Sequence, residues 1–182
     1  MLNGPLVKAL EKYKEMDKSK RDFTQIASYF KSQGIEMLLH KDKRHDYFSH
    51  RGDGEYFRNI PRDHLRAPLI FIDPDNGLQV KESTKQHLLF HEAKYVYEHM
   101  DKDSILMIYQ HFPLARSKHR EYLPQGRAIS LEKELGISPI YVSDDEIVFF
   151  LLARNNRLRS QLRKIAIGYR KDYPDHLHVG NS

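Results

Sequence analysis

Leu69-Ile70-Phe71-Ile72-Asp73-Pro74-Asp75-Asn76-Gly77 is the stretch whose reading decides the fold. Four consecutive apolar residues suit a short strand covered on both faces. The run stops at Asp73-Pro74. Proline cannot donate to a sheet ladder, and Asn-Gly favours a turn. Downstream, Leu88, Leu89, Ala93, Val96, Tyr97 and Met100 fall on one helical face, which predicts a helix over 84–100. Ser104 to Tyr109 is a second apolar strand, ending in Gln110-His111-Phe112-Pro113. Strand, helix and strand in that order predict a parallel pair with a right-handed crossover.

Further out, residues 114–135 are polar and interrupted by Pro124 and Gly126, and only Ser130 to Leu135 reads as a short helix, closed by Gly136. Pro139 to Val142 and Ile147 to Leu152 flank Ser143-Asp144-Asp145-Glu146, a hairpin signature. Leu158, Leu162, Ile165, Ala166 and Tyr169 mark a final amphipathic helix with its apolar side on the core. Upstream, a helix is expected over 5–16. A second carries Phe23, Ile26, Ala27 and Phe30 and stops near Gly34, and Ile35 to Leu39 follows as a strand. Residues 40–66 hold four histidines, five arginines and few aliphatic residues, and read as a long loop with one helical turn after Pro61.

The fold expected is one α/β domain over 1–182: helices over 1–34, sheet core and helices over 35–171, and a loose tail over 172–182. With no cysteine, disulfides, zinc thiolate sites and cysteine nucleophiles are excluded. No apolar run approaches the roughly 18 residues that cross a bilayer. Residues 1–20 lack the pattern of a secretory signal, so the expected compartment is the cytoplasm, with no membrane partner. Thirty basic against 25 acidic residues leave a charge of +5, which permits DNA or RNA as a partner without demanding it.

In open parallel sheets, ligands bind beyond the carboxyl ends of the strands. That rule gathers Asp73, Asp75 and Asn76 with Tyr109, Gln110 and His111 on one edge, next to Asp144-Asp145. His111 is the side chain best suited to proton handling near neutral pH. The same segments also suit plain turns, because Asp, Asn and Gly favour turns for local reasons. In the 41–66 loop, Arg44 and Arg51 could neutralise phosphates while Tyr56 stacks on a base; equally, the aromatics could tuck into the core. The four histidines there show no tight metal-ligand spacing, so no metal site is expected.

Leu69 to Asn76 resembles the fourth motif of Rossmann-fold methyltransferases, in which an apolar strand ends in Asp-Pro-Pro-Tyr or a close variant. Residues 69–152, about half the chain, are similar to uncharacterised prokaryotic proteins with Asp-Pro-Asp-Asn-Gly and Tyr-Gln-His strand ends. The resemblance implies a three-layer Rossmann-like fold with a mostly parallel sheet and a terminal antiparallel hairpin, lacking its usual first strand. It implies S-adenosylmethionine as cofactor, a target amino group held by Asp73, and nucleic acid as the substrate acted on or bound. The sequence departs from the family at Asp75 and Asn76, where Pro and an aromatic residue are usual, and no Gly-x-Gly loop follows an early strand. These departures point to a catalytically incomplete member. Two alternatives stand beside it. Pro74-Asp75 with Glu92-Ala93-Lys94 matches the Pro-Asp…Glu-x-Lys pattern of metal-dependent nucleases, which needs Glu92 and Lys94 on one face of a strand. A non-catalytic module could instead grip phosphates with the 41–66 loop and with Arg157, Arg163, Lys164 and Arg170 of the last helix.

Overall fold

The computed structural model describes residues 23–40, 55–111, 123–174 and 177–181. The chain divides into two compact units, residues 1–41 and 42–182. In the first, helix α1 (Phe23–Ser32) ends as its sequence predicts. Gly34 takes a left-handed φ of 74°, and the Ile35 N–H reaches back to the Phe30 carbonyl. The strand expected over 35–39 does not form: these residues have no ladder partner among the described residues, and Ile35 and Leu38 are exposed. An apolar run alone cannot supply the neighbour that a strand needs. The helix expected over 5–16 lies outside the described residues.

The second unit holds, in order, a single helical turn α2 (Glu55–Arg58), a 3-10 turn His64–Arg66, β1 (Leu69–Ile72), α3 (Phe90–His99), β2 (Ile105–His111), α4 (Pro124–Leu135), β3 (Ile140–Ser143), β4 (Ile147–Ala153), α5 (Asn156–Asp172) and β5 (His178–Asn181). The strands form one sheet in the order β1-β2-β4-β3-β5. β1 and β2 are parallel, with Leu69 opposite Ile105 and Ile72 opposite Ile108, as the strand–helix–strand order predicts. The other ladders among the described residues, β2 with β4, β4 with β3 and β3 with β5, are antiparallel. This overturns the expected Rossmann-like, mostly parallel sheet. The second strand of the hairpin, not the first, docks beside β2, and so runs against it. The expected loose tail then adds β5 in the antiparallel sense.

The sheet is covered unequally. On one face, Ala93, Val96 and Met100 from α3 and its end join Ala128 and Leu131 of α4 over Ile72, Leu106, Ile108, Val148, Phe150 and Leu152. On the other, Leu162 and Ala166 of α5 cover Ile140, Leu151 and Ala153, the part of the sheet made by β3 and β4. Two helices differ from expectation. α4 starts at Pro124, eleven residues of helix before Leu135, because proline at the first position loses only an N–H that has no partner in any helix. α3 starts at Phe90, since residues 78–88 are used in a turn that the next section describes.

Candidate functional site

Asp-Pro-Asp-Asn-Gly is held from three sides. Gly77 sits at φ 77°, which L side chains rarely adopt, and its N–H donates to the Pro74 carbonyl at 3.1 Å. Asn76 fixes the returning chain: its Nδ2 donates to Gln86 Oε1 at 3.1 Å and Thr84 Oγ1 at 3.3 Å, and its backbone N–H to the Gln86 carbonyl. The chain then pairs with itself, Leu88 N–H to the Gly77 carbonyl at 2.9 Å and Gln79 N–H to the Leu88 carbonyl at 2.8 Å. Leu78 and Leu88 are thereby fully buried, each stabilising the turn by about 1.5–3 kcal/mol. Gln110, 5% exposed, locks the turn to β2: its Oε1 accepts the Leu78 N–H at 3.2 Å. Arg127 on α4 donates to the Gln79 carbonyl, and Gln79 Oε1 accepts the Phe90 N–H at the start of α3.

Asp73 stands at the end of β1. Continuing the β1–β2 register one step past Ile72 and Ile108 brings it abreast of Tyr109. Side chains alternate along a strand, so Asp73 shares a face with Leu69 and Phe71, and Tyr109 shares the same face with Met107 and His111. This is the α5 face of the sheet, but α5 lies over β3 and β4. Leu69 and Phe71 remain 49% and 51% exposed. Tyr109 is half-buried against Phe149 of β4, with ring centroids 5.5 Å apart. The result is a shelf of apolar and aromatic side chains with carboxylates along its upper rim.

The electrostatics follow from this placement. Desolvation by neighbouring chain atoms raises the Asp73 carboxyl above the ordinary carboxylate value, and the charge on Asp75 adds to the rise. The Tyr109 hydroxyl is raised as well, by desolvation first and then by Asp73, Asp144 and Glu146. Tyr109 is therefore a firmly protonated O–H donor beside a carboxyl acceptor. At the hairpin turn, Asp144 Oδ1 accepts the N–H groups of Glu146 and Ile147, both at 2.8 Å. Its first task is the turn, and its charge still faces the rim.

The sequence-predicted residues divide in two. Asp73, Asp75, Asn76, Tyr109, Gln110 and His111 do converge on one edge, but Asn76 and Gln110 are committed to building the turn. His111 ends β2 with an exposed side chain. Tyr56 is 8% exposed and joins the core, its ring 5.2 Å from Phe57, so it offers no stacking surface. Arg44 and Arg51 lie outside the described residues. Phe71 and Glu146 were missed: a short apolar run reads as buried on both faces, and only the position of β1 at the sheet's edge exposes Phe71.

The nuclease arrangement does not form. Glu92 and Lys94 lie on α3, where residues two apart point about 200° away from each other. Glu92 is 3% exposed, and its Oε2 accepts the Leu89 N–H at 2.9 Å, so it caps the helix. Among the described residues, no group of three or more His, Asp or Glu is placed to hold a metal ion. A Cβ at Gly77 would lie 2.9 Å from Gln110 Cγ, so the space beside this left-handed glycine is filled by the chain itself. Among the described residues, no helix is long and apolar enough to cross a membrane. Comparison with known protein families, with curated proteins and with solved structures found no match to this chain.

Proposed function

We propose that this chain is a methyltransferase-like nucleic-acid-binding domain that receives an unstacked nucleobase on the Phe71–Tyr109 shelf, with the base's exocyclic amino group offered to Asp73. One observation carries the reading: Asp73 and Tyr109 stand abreast on the half of the sheet that α5 leaves uncovered, beside a Phe71 that is 51% exposed. Phe71 supplies a π-face, the Asp73 carboxylate accepts from an amino group, and the Tyr109 hydroxyl donates to a ring nitrogen or carbonyl. Those are the contacts by which single-stranded bases are read. The parallel β1–β2 pair ending in Asp73 supports the methyltransferase-like motif reading. The role proposed is recognition, since the shelf supplies a stacking face, an acceptor and a donor.

The geometry selects amino-bearing bases. Adenine and cytosine offer an exocyclic amino group on the Watson–Crick edge, and thymine does not. Fluorescence anisotropy with labelled oligo(dA), oligo(dC) and oligo(dT) should show the first two binding more tightly than the third. Asp73→Asn should erase the preference, because an amide can present a donor as readily as an acceptor. Phe71→Ala should weaken all three by about 1–3 kcal/mol, the usual worth of one stacked base. Equal affinity for the three oligonucleotides in the unaltered protein ends this reading.

A further inference from the structure

Ile165 and Tyr169 of α5 belong by spacing to the side of the helix that packs on the sheet, yet they are 61% and 59% exposed. At 3.6 residues per turn, Tyr169 lies about 20° from the buried Leu162, and Ile165 about 60° away in the same sense. Arg159 lies about 60° round the other way, and it donates to the Ser138 carbonyl just ahead of β3. That flank of α5 therefore faces β3, and the flank of Leu158, Ile165 and Tyr169 faces β2. The packing agrees: Ile105 and Met107 of β2 join Leu158 against the cluster beneath α5. In front of Ile165 and Tyr169 lies the uncovered half of the sheet, beside which they stand as a wall.

The floor before that wall is aromatic. Phe149 of β4 is the ladder partner of Tyr109, so it shares the face of Tyr109, and it is half-buried. Phe71, Tyr109 and Phe149 thus cross the neighbouring strands β1, β2 and β4 in a row. The heights match as well. α5 starts just after Ala153, which pairs with Ile105 at the start of β2. From Asn156 to Tyr169 the helix rises about 20 Å, and β2 rises about 20 Å from Ile105 to His111. Tyr169 therefore stands near the carboxyl end of β2, where the row ends. Behind it Tyr173 stacks on its ring, with centroids 6.2 Å apart.

We infer that this row is a two-base site: the first base lies on Phe71 with its amino group at Asp73, and the next base of the same single strand lies on Phe149 against the Tyr169 ring. The inference rests on the nucleic-acid reading of the Asp73 shelf, and extends that site across β4 to α5. Continuity argues for this occupant. Tyr109, which reads the first base, packs its ring directly against Phe149. From β1 to β4 is two strand spacings, about 10 Å, too wide for one planar base to cover. Stacking on aromatic side chains accepts any base, because every base has a π-face. Charge argues the same way. Asp73, Asp144 and Glu146 all bear on the Tyr109 hydroxyl, so the row receives the uncharged bases while the phosphates turn outward into solvent.

The test uses the full chain and two probes, deoxyadenosine and the deoxyadenosine dinucleotide, with Kd read by NMR titration. The dinucleotide should bind more tightly by about 5- to 140-fold, the worth of one further stacked base at about 1–3 kcal/mol. Tyr169→Ala should remove most of that gain and leave deoxyadenosine binding unchanged. Tyr169→Phe, which keeps the ring, should retain the gain, and thermal melting checks that each variant folds. Equal affinity for the two probes, or a gain undiminished in Tyr169→Ala, overturns the two-base site. So does a dimer in sedimentation equilibrium that Tyr169→Ala disperses, since a second copy of the chain then covers the row. Failure of the shelf reads differently: Phe71→Ala and Asp73→Asn then leave deoxyadenosine binding unchanged, while Tyr169→Ala still removes the gain of the dinucleotide.

Discussion

Asp73 is a carboxyl that folding makes harder to ionise, and that has a measurable consequence. Its value in the folded chain is raised above 3.8, so the folded state holds the proton more firmly than the unfolded state. The resulting stabilisation is complete below about pH 3.8 and disappears as pH rises through the folded value. At neutral pH the ionised group is therefore a burden on the fold. Asp73→Asn should raise the melting temperature at pH 7 and leave it nearly unchanged below pH 3.8. His87 runs the other way. Its Nδ1 accepts the Thr84 N–H, and burial lowers its value below 6.5, so stability falls as pH drops below 6.5. Comparing variant and unaltered chain at each pH cancels that contribution. A variant less stable at pH 7 would show that the charge on Asp73 supports the fold. Asp73 and Tyr109 were legible in the sequence because a proline and a glycine announce where the strand stops. Phe71 was not, since exposure depends on which strand lies next door.

The turn and β2 form one mechanical element, joined through Gln110. Its Oε1 satisfies a buried N–H, and its Cγ occupies the space beside Gly77. Gln110→Ala should cost about 1–3 kcal/mol by stranding the Leu78 N–H. Gly77→Ala should cost about 1–2 kcal/mol for the left-handed backbone alone, and more for the collision with Gln110. The pair is predicted to be non-additive: the double variant should be less destabilised than the sum, because the collision is gone. Chemical denaturation of the four proteins measures this, and strict additivity would mean that the two residues do not share the contact. Local signals foretold that a turn forms here. They did not foretell that residues 78–88 would continue it, so α3 starts six positions later than its apolar face suggests. The same limit applies to α5, whose expected core residues Ile165 and Tyr169 are 61% and 59% exposed.

At the level of the molecule, the sequence carried β1 to β4, the parallel crossover and the hairpin, but not β5 or the antiparallel docking of β4 on β2. Apolar runs say that a segment is buried; they do not say between which neighbours. Ile147–Ala153 is the clearest case. Its unbroken apolar character marks the central strand of the sheet, flanked by β2 and β3, and that position forces the antiparallel ladders. The insertion of β4 between two strands made earlier also sets an order of assembly as the chain is synthesised. β2 is complete at His111, yet its second neighbour is not finished until Ala153. At about 5–20 residues per second, β2 waits roughly 2–8 s with one edge bare. β3 waits too, since both its partners are translated after it. Ribosome-stalled chains with Ser138 clear of the exit tunnel should be cut readily by protease within β2, and chains with Ala153 clear should resist. Equal resistance at both lengths would mean that β1 and β2 stand alone. Until then, the nascent chain offers the cell an unpaired hydrophobic edge, and its safe passage depends on how fast the ribosome moves through the 42 codons from the end of β2 to the end of β4.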